Sequence, residues 1–380
     1  VRNVVDPRFR AVLANLLLMR ETSQAALARK ANVSRAHLSQ ILNGDRNPSA
    51  QVARALDEAL DAEGQLADLV VLAAHPADLD QIAAVASNPR RVGFSTLESL
   101  ARVLAGQRHL DDLIGSAAMI GPTLAQLHLV TTMAAEAVGP DRPGVLYEAA
   151  QWAQFCAWLH ISVGKMPDAK AWLARALEWS VELGDADLTA TVVSYQSHTA
   201  WLQLQRGPAI GLAEAAMRDV RVYPGQRAYD AYAAARGYAA IGDLRESDRL
   251  LGLADELTDQ SNNWAGEVPP WQYYRQPWFW SLERGLVALY AARWEKRHAV
   301  PAVADLAAGI AGMPHEWSGA DWTGEYLVHL ASAHRAAGDL GEARAVLGRA
   351  RMIAESTASP RILALVSSGE RVLRIDERGY

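Results

Sequence analysis

Gln24 to Asn43 reads QAALARKANVSRAHLSQILN. Its apolar positions define two short helices and the bend between them. Leu27, Val33, Leu38 and Ile41 fall where two crossing helices bury side chains against each other. Ala28 falls where a close crossing admits only a small residue, and Ala31 packs beneath the turn. Asn32 tolerates the left-handed backbone conformation that most residues avoid. Thr22 or Ser23 caps the first helix and Ser34 opens the second, because a hydroxyl can accept from the unpaired N–H groups of a first helical turn. Asn43-Gly44 ends the second helix.

Working outward, FRAVLANLLLMR predicts a helix before this pair. Pro48-Ser49 opens a fourth helix, QVARALDEAL, and Gly64 precedes a fifth. Residues 7–72 therefore read as one five-helix unit. Residues 1–56 hold nine basic residues and three acidic ones, a net charge of +6, while the remaining 324 residues carry −12. The whole-chain value of −6 argues against nucleic acid, but the segment value argues for it.

With its flanking helices and the LNGDRNPS stretch that follows, this region resembles the lambda-repressor-like, or XRE, family of helix-turn-helix DNA-binding domains. The resemblance implies that the helix beginning at Ser34 enters the major groove. Arg35, Ala36 and Gln40 are then the best base-edge candidates, with His37 and Ser39 nearby. Arg suits guanine, Gln suits adenine, and Ala suits a thymine methyl. Gln24 falls to a phosphate or base-edge contact, and Asn43 and Arg46 to phosphate contacts, which position rather than read. The family also implies a homodimer on an inverted-repeat operator in double-stranded DNA. Arg2, Arg8 and Arg10 read equally as a flexible arm or as solvated charge.

The rest of the chain has another composition. All 12 Trp lie between Trp152 and Trp322. Residues 73–144 read as a helical linker and a possible dimerisation region, with a loop at SNPRRVG, capping-box spacing at Ser95 and Glu98, helices near 96–116 and 121–138, and a break at GPDRPG. Residues 145–380 look repetitive. GDLRESDRLLGLA (242–254) and GDLGEARAVLGRA (338–350) share seven of thirteen positions. Turns fall near 164, 207, 242, 293 and 338, a spacing that means stacked helical hairpins. The fold class is all-α.

This body is similar to degenerate tetratricopeptide repeats over about 145–357, departing from the pattern at the aromatic stretch 264–294. The order of head and body looks like a type of actinobacterial regulator and also resembles peptide-sensing regulators of other bacteria. It implies a concave face that takes a peptide, a protein or a small-molecule effector. WQYYRQPWFW supplies candidates Trp271, Tyr273, Tyr274, Trp278 and Trp280. Trp152, Tyr195, His198, Trp201, Tyr232 and Arg236 lie on earlier repeat helices. Either these rings line a pocket or they fill gaps between irregular repeats, and both readings stand on the sequence. A protein-interaction adaptor, or an antitoxin-like autoregulator whose repeats hold a partner protein, is the alternative function.

Other classes find little support. Half the residues are apolar and 21% charged, ordinary globular composition. Cys156, the single cysteine, sits in an apolar run and reads as a buried small residue in a reducing compartment. No run of 18 apolar residues and no signal-peptide layout occurs, so a cytoplasmic protein with no membrane association is expected. HExxH, Walker A, GxGxxG and paired-cysteine patterns are missing, so no enzyme, cofactor or metal is expected. HEWSGADWTGE (315–325) reads as a polar loop between repeats.

Overall fold

Apolar residues at three-to-four spacing become helices through almost the whole described chain. The computed structural model describes residues 4–5, 9–20, 22–44, 46, 48, 50–62, 65–66, 70–71 and 94–378. It divides into two units, Val1–Ile114 and Gly115–Tyr380. The division falls inside the 73–144 segment.

The first unit contains α1 (Phe9–Met19), α2 (Gln24–Lys30), α3 (Arg35–Asn43), α4 (Ala50–Leu60) and α5 (Phe94–Ile114). Phe9 and Leu13 of α1 meet Leu27 and Ala28 of α2, Leu38 and Ile41 of α3, and Ala53 and Leu56 of α4. Burying each large side chain contributes roughly 1.5–3 kcal/mol relative to exposure. The chain after α4 is tied back by the buried Asp57 carboxylate, which accepts from the Leu66 N–H at 2.7 Å. Where a fifth helix is expected after Gly64, Gln65 and Leu66 form a turn. Val70–Val71 is a two-residue strand (β2) paired antiparallel with Val4–Val5 (β1), Val4 opposite Val71. Two β-branched valines at each position suit extended pairing better than a helix. The stretch expected as a linker, 73–92, lies outside the described residues.

The second unit runs α6 (Ser116–Glu136), α7 (Arg142–Ser162), α8 (Met166–Leu183), α9 (Ala186–Leu202), α10 (Arg206–Ala216) and α11 (Pro224–Ile241). It continues through α12 (Leu244–Asn262), α13 (Pro277–Ala291), α14 (Ala299–Gly312), α15 (Asp321–Ala337), α16 (Leu340–Ser356) and α17 (Pro360–Arg378). From α7 onward the helices pair as hairpins: α7 with α8, α9 with α10, α11 with α12, α13 with α14, and α15 with α16. The turns hold Gly164, Leu204, Gly242, residues 292–298 and Gly338, so the expected turn at 207 lies about one helical step early. The odd-numbered helices from α7 to α17 also touch one another in succession and form the inner layer of the array.

The repeated Gly-Asp pair in the two similar segments has a physical purpose. Gly242 and Gly338, at φ +89° and +92°, end α11 and α15 in left-handed caps. Asp243 and Asp339 then cap the next helix, accepting from the N–H of Glu246 at 3.1 Å and of Glu342 at 3.0 Å. One helix ends and its partner starts within two residues. Within a hairpin, small residues let the axes approach. A Cβ on Gly309 would sit 2.8 Å from the Trp278 carbonyl oxygen and 2.6 Å from Leu282 Cδ2. The array coils until its ends meet: Arg361 Nε, at the start of α17, donates to the Ser162 carbonyl oxygen of α7 at 3.2 Å.

Replacing Gly309 by alanine should therefore force α13 and α14 apart and cost about 1–3 kcal/mol. The expected reading is a lowered urea midpoint at unchanged slope. A midpoint equal to that of the parent protein would show that this crossing is not tight.

Candidate functional site

The α2–turn–α3 segment is built by short-range bonds. Ser23 Oγ accepts from the Ala26 N–H at 3.2 Å and caps α2; Thr22 Oγ1 instead donates to the Arg20 carbonyl. Asn32 takes the left-handed turn position at φ +52°. The Val33 N–H donates back to the Ala28 carbonyl at 2.9 Å, and Ser34 Oγ accepts from the His37 N–H at 3.1 Å. With Leu38 and Ile41 fully turned into the core, the opposite face of α3 is fixed in solvent.

That face carries Arg35, Ala36, Gln40 and Asn43, all exposed, with Ser34 exposed at its start and Ser39 half-buried at its side. Gln24, at the first turn of α2, is also exposed. With its side chains a helix such as α3 is about 10–12 Å across, which fits a DNA major groove about 12 Å wide. His37 stands apart: it is half-buried, and its Nε2 is shielded from solvent with no hydrogen-bond partner. It is poorly turned for a base edge. Beyond α3, Gly44 takes φ +86°, and the Arg46 N–H donates to the Gln40 carbonyl at 3.2 Å. The exposed Arg46 is thereby held beside α3. The Arg10 guanidinium lies so close against Gly44 that no Cβ would fit. It places a cation at the negative end of the α3 dipole. Arg2 and Arg8 lie outside the described residues.

In the second unit the expected ligand candidates separate into two groups. Trp152 is fully buried, and Trp271 Nε1 donates to Thr191 Oγ1 at 2.9 Å. The Tyr232 hydroxyl donates to Asp255 at 2.7 Å, and its ring stacks on Trp280. Trp278 stacks on Trp322, and Tyr273 packs edge-on against Trp317. These rings occupy the seams between hairpins. Tyr195, His198 and Tyr274 are instead half-buried, while Trp201 and Arg236 lie deeper. The Trp201 ring lies 3.8 Å from the Arg206 guanidinium and 4.5 Å from that of Arg236.

Several inner-layer residues that the repeat reading passed over join this second group. Glu283 accepts from the Tyr326 hydroxyl at 2.6 Å and pairs loosely with Arg236 at 3.8 Å. Glu325 pairs with Arg361 at 2.8 Å and stands 3.8 Å from His329. Arg275 lies 4.6 Å from the Tyr229 ring. The signal for them was present: Asp230, Arg236 and Glu283 interrupt otherwise apolar helices. Of the acidic 315–325 segment, His315 and Glu316 are exposed in a short 3-10 turn, whereas Asp321 and Glu325 belong to α15.

Burial sets the ionisation here. It pushes His198 down to about 4, so its ring is neutral at pH 7, and it pushes Asp230 up to about 7. Burial would raise the Glu325 carboxyl, but Arg361 and His329 hold it well below the usual carboxylate range. Burial pushes the Cys156 thiol up to about 12, the opposite of a nucleophile. Among the described residues no group of three or more His, Cys, Asp or Glu could hold a metal ion. Among them, too, no helix is long and apolar enough to cross a membrane.

Residues 13–64 match the helix-turn-helix family. The match spans α2, the turn and α3, and it supports a DNA-binding transcriptional regulator; it does not extend into the hairpin array. No curated protein matches the chain.

Asp230 holds its proton more tightly folded than unfolded, since the unfolded value is about 3.9. It thus removes stability as pH rises from about 4 to about 7. His198, depressed by burial from 6.5 to about 4, removes stability as pH falls through the same window. Asp230→Asn should gain stability over the parent protein progressively between pH 4 and 7, in urea titrations at fixed salt. A difference independent of pH would mean that Asp230 ionises normally.

Proposed function

We propose that the protein is a cytoplasmic, sequence-specific transcriptional regulator that binds DNA as a homodimer through α3 and responds to an effector held in its hairpin array. The observation that carries the DNA-reading half is the solvent face of α3. Arg35, Ala36 and Gln40 project from the first two turns of a helix capped by Ser34, in a segment that matches the helix-turn-helix family. Arg35 offers a bidentate pair to guanine and Gln40 one to adenine, while Ala36 meets a thymine methyl. Ser39 supports this face. Gln24, Asn43 and Arg46 contact phosphate and set the register. His37, half-buried, contributes to the helix seat more than to reading.

One head reads only a few base pairs, so two heads on half-sites one DNA turn apart give the needed specificity. Residues 1–72 are the reading head, 73–144 the connecting and dimerising region, and 145–380 the effector domain. An effector with different affinity for two arrangements of the dimer shifts the population between them, and operator affinity follows.

The test begins with selection of bound sequences from a random duplex library. Arg35→Ala and Gln40→Ala should each lose about 1–3 kcal/mol of discrimination at one position per half-site. Arg46→Ala should weaken all sequences alike and reduce the slope of affinity against salt by about 1. Unchanged preferences in both α3 variants would sink the assignment of α3 as the reading helix. A monomeric mass on the selected operator would sink the dimer.

A further inference from the structure

The inner layer of the array gathers half-buried aromatic rings around buried charge. Tyr195 of α9, Tyr229 of α11, Tyr274 before α13 and Tyr326 of α15 are all half-buried. They belong to one neighbourhood: the Tyr229 hydroxyl lies within the electrostatic reach of Glu283, Arg236, Tyr274 and Arg275, and that of Tyr326 within reach of Glu283, Tyr229 and Arg236.

Buried polar atoms in native proteins are almost always paired. Here Arg236 Nε, Arg275 Nε, Glu283 Oε2, Asp230 Oδ1 and His198 Nδ1 are all shielded without a hydrogen-bond partner. Arg236, Arg275, Glu283 and Asp230 are more than nine-tenths buried. Desolvating this many unpaired polar atoms is costly, and a fold keeps them only where something else completes them.

The charges say what that something is. Arg361 is matched by Glu325 at 2.8 Å and Arg236 by Glu283 at 3.8 Å. Arg275 has no carboxylate partner. Its Nη1 donates to the Gly225 carbonyl at 3.3 Å and to Gln226 Oε1 at 3.0 Å. Gln226 stands between it and Asp230, donating to Asp230 Oδ2 at 2.7 Å. Of the three arginines, Arg275 is thus the one without a direct ion pair, with Gln226 standing between it and Asp230. An anion reaching Arg275 finds a guanidinium stacked on a tyrosine face. Rings on several sides suit a flat apolar body.

We propose that the inner face shared by α9, α11, α13 and α15 is a binding site for a small aromatic carboxylate, with Arg275 as its cationic end and the tyrosines as its walls. This names a chemical class for the effector and rests on the effector reading above.

The full chain, without DNA, is titrated with 2-naphthoate, with neutral 2-naphthylmethanol and with cationic 2-naphthylmethylamine, followed by calorimetry and tryptophan fluorescence. 2-Naphthoate should bind at least tenfold tighter than either analogue. Arg275→Gln and Tyr195→Ala should each weaken it tenfold or more, with circular dichroism confirming the helical fold. Tyr195, half-buried, is the variant to rely on where loss of Arg275 disturbs Gln226. Equal binding of the three probes, no binding of 2-naphthoate at millimolar concentration, or unchanged binding by the folded Tyr195→Ala variant overturns the proposal. Operator affinity with and without 2-naphthoate is read separately. Binding with no change in operator affinity retains the site and removes only its role as the regulator's sensor.

Discussion

Close crossing of helices at alanine and glycine is the constraint on which the rest of the structure depends. In the head, Ala28 is buried between α2 and its neighbours, and the short gap it leaves lets Leu27, Leu38 and Ile41 share one core with Phe9. That core decides which side of α3 meets solvent. In the array, Gly285 and Gly309 do the same for α13 and α14, and the core then runs unbroken from α9 to α17. None of these helices could bury its apolar stripe alone. Each stands because its neighbour comes close enough to cover it.

The inner layer breaks the pattern in one informative way. A tightly packed stack gains most from apolar residues, yet α11 and α13 place Asp230, Arg236 and Glu283 where water scarcely reaches. Buried pairs seldom stabilise more than apolar residues of the same volume would. Arg236 and Glu283 are moreover loosely matched at 3.8 Å and keep unpaired atoms. Structural demand therefore does not explain them. Stability is lost at the same place where rings from four elements converge, which is how a binding site differs from a seam. The seams, at Tyr232–Trp280 and Trp278–Trp322, stack ring on ring.

Much of this was legible beforehand, for physical reasons that differ by element. The α2–turn–α3 spacing is tightly constrained by sterics: a left-handed Asn32, a small Ala28 and two serine caps leave little alternative. The Gly-Asp turns were visible because each pair ends one helix and begins another. The turn at Leu204 was misplaced because Gly207 drew attention, whereas the chain puts Gly207 in the first turn of α10 and bends at a non-glycine residue with φ +61°. The aromatic run 271–280 was legible as a feature but not as a site. Adjacent residues on a helix point about 100° apart, so Trp278, Phe279 and Trp280 go to different neighbours. Arg236 apart, the inner charges are not legible in sequence because their partners lie far along the chain, as with Arg361 and Glu325, 36 residues apart.

The uneven charge distribution gains meaning from the same geometry. A net −12 outside the first 56 residues discourages the array from condensing on phosphate, so affinity for DNA rests on a head with +6. Within that acidic body the inner face leaves Arg275 without a direct ion pair. An anion of low charge drawn there would complete Arg275 and bear directly on Tyr229 of α11 and Tyr274 before α13. Those two elements are joined through Gln226, which accepts from Gln272 at 2.8 Å and from Arg275 at 3.0 Å. Changing the partners of Arg275 therefore changes the contact between two successive hairpins, and a stack in which every hairpin rests on the next cannot confine that change to one of them.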